Sequence, residues 1–100
     1  MPTRLETTTV AGRDVGHSVV MYGLSFCDHC HEGKAFLESA GIRFEYAYLD
    51  EIDAPIRAKV TARLRRAYGK KLIYPVLEID GEYAFGFDSA EWSRGIGLKT

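Results

Sequence analysis

The chain has 100 residues, 46% hydrophobic and 27% charged, with 13 basic residues against 14 acidic ones and a formal net charge of −1. That length allows one domain, and that composition excludes disordered, collagen-like and mucin-like chains. Near-neutral charge argues against a nucleic-acid binder working through a global positive field, and the longest apolar run, Val19 to Leu24, is far short of the ~20 residues a membrane helix needs.

Residues 1–17 are polar and punctuated by Gly12 and Gly16. They read as a loose arm with one marginal edge strand at Thr7 to Val10, and residues 18–100 read as the domain. The arm shows no apolar signal region, so a cytoplasmic protein is expected. Val19-Val20-Met21-Tyr22 is a short continuous apolar run, which suits a strand buried on both faces. Gly33, Phe36, Leu37 and Ala40 fall on one helical face and predict a helix from about Cys27 to Ala40, stopped by Gly41. Phe44 to Leu49 is aromatic-rich and alternating, a second strand. Asp53 is expected to cap the next helix, with Pro55 in its first turn, Ile56, Val60, Leu64 and Ala67 as the buried stripe, and Gly69 at its end. Pro75 opens a third strand, Val76 to Ile79; Asp80-Gly81 signals a type I′ hairpin, and Tyr83 to Phe85 is the fourth strand. Asp88 followed by Glu91 resembles a capping box for a last short helix around Trp92. The order β-α-β-α-β-β-α predicts an α/β fold, a four-stranded mixed sheet flanked by three helices. A strand–helix–strand unit makes its strands parallel, and the hairpin adds antiparallel ones.

The chemistry concentrates in Cys27-Asp28-His29-Cys30, the chain's two cysteines, placed where a buried strand gives way to a helix. In a reducing compartment this spacing reads as redox chemistry or metal binding rather than a structural staple. A sulfur at a helix N-terminus meets unpaired backbone N–H groups and the positive end of the dipole, both of which favour the thiolate that attacks disulfides. Cys30, one turn on, can attack the resulting mixed disulfide. Between the two, Asp28 opposes a thiolate and a protonated His29 favours it. Pro75, just before a strand, is a candidate cis peptide facing the thiols; an ordinary strand-start proline is the alternative.

Three segments in this order carry a family likeness: Met21-Tyr22-Gly23-Leu24-Ser25-Phe26-Cys27-Asp28-His29-Cys30, then Tyr74-Pro75-Val76-Leu77-Glu78-Ile79-Asp80-Gly81, then Gly86-Phe87-Asp88. Across residues 18–98 the chain resembles the glutaredoxin family of the thioredoxin-like fold. The resemblance implies a thiol–disulfide oxidoreductase with Cys27 as nucleophile, Cys30 as resolving cysteine and Pro75 as cis-proline. By it, Tyr74 offers its backbone to the substrate, and Gly86 and Asp88 lie where relatives hold the γ-glutamyl end of glutathione. Phe26 and Phe87 are expected to shield the thiol or line the groove, and Lys71, with Lys70, to meet substrate carboxylates. Leu24 stands where many glutaredoxins have lysine. Gly86-Phe87 replaces the common Gly-Gly, a variant shared with thioredoxin-reductase-dependent donors of ribonucleotide reductase. The expected partners are disulfide-bearing proteins and either glutathione, as co-substrate, or a thioredoxin-reductase-type flavoenzyme. No tightly bound cofactor, no metal, no nucleic acid and no membrane is expected, and a monomer is.

Cys27 to His31 also spells C-x-x-C-H, the c-type haem attachment signature, but the surrounding β/α pattern suits no small cytochrome. The alternative function from another class is an iron–sulfur cluster or metal carrier using Cys27. One chain's Cys27, His29, Cys30 and His31 are too close in sequence to wrap a zinc ion unaided, with His17 a distant extra. His31 reads as a solvated helix-surface residue. Every charged residue from Ile56 to Leu77 is basic (Arg57, Lys59, Arg63, Arg65, Arg66, Lys70, Lys71), which reads first as a solvated face and second as a dock for an acidic partner. Phe44, Tyr46, Tyr48, Phe85 and Trp92 are expected mostly in the core.

Overall fold

The computed structural model describes residues 5–98. Five strands form one sheet in the order β1-β3-β2-β4-β5. They are β1 (Thr8–Val10), β2 (Val19–Gly23), β3 (Phe44–Tyr48), β4 (Val76–Ile79) and β5 (Glu82–Phe85). The helices are α1 (Asp28–Ser39), α2 (Ala54–Tyr68) and α3 (Ser89–Ile96), with a 3₁₀ turn at Leu49–Glu51. β2 and β3 run parallel, joined through α1, while β4 lies antiparallel to β2 and β5 antiparallel to β4. This is the thioredoxin-like arrangement.

The four-strand expectation is corrected to five. Thr8, Thr9 and Val10 pair antiparallel with Tyr46, Glu45 and Phe44, and Arg13 bridges to Ile42 beyond them. Residues 1–4 of the expected arm lie outside the described residues, as do 99 and 100. The Thr-Thr-Val segment is short and mostly exposed, so its stability as a strand comes from the partner edge that β3 offers.

Two apolar clusters sandwich the sheet, because strand side chains alternate between faces. Val19 and Met21 of β2 point to α1 and α3, joining Leu37, Ile42, Phe44, Leu77, Trp92 and Ile96. Tyr22 points to α2, joining Leu49, Ile56, Val60, Leu64 and Val76. Tyr46, Tyr48 and Phe85 are only half-buried, unlike Phe44 and Trp92.

Local signals fare unevenly. Asp80 and Gly81 both take positive φ, 51° and 86°, as the type I′ turn demands. The Asp88 carboxylate accepts the Glu91 N–H at 3.0 Å and caps α3. Asp53, by contrast, caps α2 with its backbone only: its carbonyl accepts the Arg57 N–H at 2.9 Å, and its side chain makes no capping bond. Pro55 in the first turn already removes one donor that a cap would satisfy. Ala67 is exposed, so the stripe of α2 runs Ile56, Val60, Leu64 and then half-buried Tyr68. Tyr68 stacks on Phe85 with centroids 4.2 Å apart and covers the ground Ala67 was expected to cover.

Candidate active site

β2 is the buried strand that delivers the chain to the site. It ends at Gly23, and a tight turn follows, closed by the Cys27 N–H donating to the Leu24 carbonyl at 3.2 Å. Cys27 sits at the N-cap of α1 in extended conformation (φ −103°, ψ 116°), and its Sγ accepts the Cys30 N–H at 3.3 Å. A helix N-terminus leaves its first N–H groups without carbonyl partners. Here one of them finds the sulfur of Cys27, the role a serine or aspartate usually fills.

The two sulfurs stand in different surroundings. Cys27 is partly exposed, whereas Cys30 is 0% exposed. Cys30 lies under the turn, its Sγ accepting the Leu24 N–H at 3.4 Å. A Cβ on Gly23 would stand 3.1 Å from that sulfur, so any side chain here would press on Cys30 and require it to give by a few tenths of an ångström. Burial pushes the Cys30 thiol up to about 12, aided by its hydrogen bond to Cys27 and by the charges of Cys27 and Asp50; the Leu24 N–H acts in the opposite direction. Cys30 therefore keeps its proton at neutral pH and points it at Cys27.

The peptide bond between Tyr74 and Pro75 is cis. Pro75 is buried and abuts α1 one turn past Cys30: a Cβ on Gly33 would lie 3.3 Å from Pro75 Cγ and 2.7 Å from Trp92 Cη2. Gly33 thus lets the thiol helix, the proline loop and α3 meet. Tyr74 is half-buried; burial raises its phenol pKa, Arg65 opposes that, and Cys30 adds to it. Gly86, at φ 86°, donates its N–H to the Pro75 carbonyl at 2.8 Å, and its own carbonyl accepts the Trp92 Nε1–H at 3.2 Å. The cysteine turn, the proline loop and the Gly86 loop are thereby tied to one core.

The other residues expected at the site have the following surroundings. Phe26 is 75% exposed, too open to be packed over the thiol, and is available to a partner. The ring of Phe87 packs edge-on against Trp92 (4.9 Å) and against Phe36 (5.7 Å), at the margin of the core. One oxygen of the exposed Asp88 carboxylate is spent on the α3 cap. Lys71 is exposed, and the Lys70 ammonium lies over the Tyr68 ring at 5.1 Å. His29 faces Glu32 at 3.5 Å with its side chain 76% exposed.

Sequence reasoning missed a clamp on the turn. The Asp50 carboxylate accepts both the Ser25 N–H, at 2.9 Å, and the Ser25 hydroxyl; these bonds hold the Asp50 carboxyl below its ordinary range. On the other side, His31 Nε2 lies 2.7 Å from the Ser25 carbonyl, and Tyr48 Oη lies 3.4 Å from His31 Nδ1. His31 is exposed but engaged, which corrects its reading as a free surface residue. Nothing in the local pattern signals this contact; only the C-x-x-C-H spacing marks His31 out, and for a different chemistry. That haem chemistry does not fit, because Cys30 is sealed from solvent and the His31 ring is already bound. Among the described residues, no group of three or more His, Cys, Asp or Glu side chains is gathered in a way that could hold a metal ion. No helix among them is long and apolar enough to cross a membrane.

Comparison with known proteins gives the same picture. The chain is similar in structure to a glutaredoxin from Methanosarcina mazei, with 30% identity, a TM-score of 0.80 and 92% of this chain aligned to 88% of that one. It is similar to the methanoredoxin of Methanosarcina acetivorans at 26% identity and TM-score 0.79, over 97% of this chain and all of the other. A glutaredoxin from Archaeoglobus fulgidus aligns at 29% identity and TM-score 0.71, over 79% of this chain and 85% of its own. A search of curated protein sequences finds no match. The glutaredoxin family model matches residues 19–84, which span β2 through most of β5 and include both cysteines and the cis-proline. With its thiol pair at the head of α1 and more than half of its length in that match, the chain belongs to the glutaredoxin family.

Proposed function

We propose that this protein is a cytoplasmic thiol–disulfide oxidoreductase that reduces protein disulfides or glutathione mixed disulfides through the Cys27/Cys30 dithiol. The asymmetry of the two sulfurs carries this reading: one partly exposed at a helix N-cap, the other sealed and protonated beneath it. The Cys27 thiolate attacks one sulfur of a substrate disulfide, forming a mixed disulfide and releasing the other half as a thiolate. That step removes the negative charge of Cys27, and with it two of the influences that hold the Cys30 proton. Cys30 then loses its proton and attacks Cys27 Sγ. The second half of the substrate leaves as a thiolate, and Cys27–Cys30 becomes a disulfide. Two electrons from two glutathione thiols, or from a flavoenzyme of the thioredoxin-reductase type, restore the dithiol.

In this reading an extended substrate backbone would pair with the segment carrying Tyr74, Pro75 and Gly86. Phe26, Phe87, Asp88 and Lys71 would add further substrate contacts, with Lys71 and the free oxygen of Asp88 suited to the charged ends of a peptide or of glutathione. No tightly bound cofactor is needed for this cycle. Turnover of a model disulfide with glutathione and, separately, with thioredoxin reductase tests the reading. Cys27→Ser abolishes turnover with either donor, while Cys30→Ser retains glutathione-dependent turnover or accumulates mixed disulfide. A Cys27→Ser protein as active as the parent would refute it.

A further inference from the structure

We propose that His31 and Asp50 are positioning residues that grip Ser25 from opposite sides and so hold the turn that carries Cys27; the proposal rests on the dithiol reading above. Ser25 lies two residues before Cys27, half-buried between Leu24, which packs against the α2-side core, and the exposed Phe26. Its fixed points come from elsewhere in the fold. Asp50, in the 3₁₀ turn after β3, takes both hydrogens that Ser25 can donate. His31, in the first turn of α1, serves its carbonyl. A carbonyl oxygen can only accept, so Nε2 must carry the hydrogen, and Nδ1 is left to accept from the Tyr48 hydroxyl. Ser25 therefore has its N–H, its hydroxyl and its carbonyl all satisfied by two side chains.

The arrangement spans the reactive bond geometry. Ser25 precedes Cys27 in the turn and His31 follows Cys30 in the helix, so the His31–Ser25 bond closes a ring around both cysteines. Inside that ring lies the Cys30 N–H on Cys27 Sγ at 3.3 Å, and immediately before it the Leu24 N–H on Cys30 Sγ at 3.4 Å. Both are long contacts to sulfur, and both depend on where the turn sits. The Asp50 carboxylate also raises the Cys30 pKa through its charge, so the same clamp acts on the resolving thiol.

Alkylation of Cys27 by iodoacetamide in the full-length reduced protein, followed across pH, tests the clamp without requiring any disulfide substrate. His31→Leu removes the donor and slows alkylation at neutral pH by about fivefold, the worth of one typical hydrogen bond. His31→Gln keeps an N–H near the position of Nε2 and restores most of the rate. Asp50→Ala removes both acceptors from Ser25 and slows Cys27 alkylation at least as much as His31→Leu does. Thermal melts of the same proteins identify any variant that fails to fold. Parent-like alkylation in folded His31→Leu, or a His31→Gln protein as slow as His31→Leu, would overturn the role of His31. Parent-like Cys27 alkylation in folded Asp50→Ala would overturn that of Asp50. If Cys27→Ser instead retained disulfide reduction, the oxidoreductase reading would fail while these measurements still reported on the clamp.

Discussion

The two faces of the sheet are built on different principles. The α1/α3 face has a cluster of apolar side chains, and its decisive feature is closeness: Gly33 lets Trp92 and Pro75 press onto the thiol helix, and Trp92 in turn holds the Gly86 carbonyl. The α2 face contains a polar triad within its apolar cluster. Tyr22, 3% exposed, donates its hydroxyl to Glu78 at 2.5 Å and accepts from Arg63 at 3.0 Å. The first face positions the chemistry by packing backbones together. The second braces the strands behind it with directional bonds. The close approach that seats Pro75 beside the thiol helix therefore lies on the α1/α3 side, while Leu24 and Tyr74 pack against the α2 cluster.

The sharpest way to break this contrast is to add volume at Gly33. Gly33→Val places a branched side chain where even a Cβ meets Trp92 at 2.7 Å. We expect a loss of about 3 kcal/mol in urea unfolding from overpacking, together with a fall in turnover as Pro75 and Gly86 move off α1. Parent-like stability would show that close approach is not what positions the site. The corresponding test on the other face is milder. Tyr22→Phe removes two hydrogen bonds while keeping the ring, and should cost about 1–2 kcal/mol with disulfide reduction little changed. A large loss of activity from this variant would mean that the α2 face also sets the site.

The smallest effect is in the pH dependence of stability, and it separates the faces by a titrating group on each. Cys30 in the reduced protein ionises at about 12 rather than its ordinary 9.0, so above pH 9 the unfolded chain releases this proton before the folded one does. Stability is thus lost as pH rises from about 9 toward 12. Tyr22 is raised above its ordinary 10.0, first by burial and then by Glu78, and adds a loss of the same sign that begins only above pH 10. Unfolding curves at stepped alkaline pH should flatten first in Cys30→Ala and, at higher pH, in Tyr22→Phe. Equal slopes in parent and Cys30→Ala between pH 9 and 10 would contradict the buried, protonated thiol.

The parts of the fold that were legible in sequence are those coded by neighbours. Val19 to Tyr22 announces a buried strand, Asp80-Gly81 a tight hairpin, and Asp88 a cap, because each needs only residues within a few positions. Cys27 and Cys30 belong to the same class. Their spacing on a strand-to-helix junction implies a nucleophile at the helix tip and a second thiol one turn deeper. The misses have the opposite character. β1, read as a marginal edge strand, joins the sheet only because β3 offers an edge, which the four-strand count left out; Ala67 is displaced by a Tyr68 that reaches Phe85, and Asp53 caps α2 with its backbone but not its side chain. The clamp on Ser25 joins positions 25, 31 and 50, and the Asp50 contact spans 25 residues, so no local pattern encodes it.

By itself, the amino-acid order determined where helices and strands begin, which face of each is apolar, and that two thiols would share one helix end. These follow from periodicity and from the chemistry of adjacent groups, which act before the chain has folded. Only the tertiary structure decided that one thiol is sealed and the other open, that Gly33 is a meeting point of three segments, and that His31 and Asp50 close on the same serine. Burial and long-range hydrogen bonds exist only once distant segments have come together.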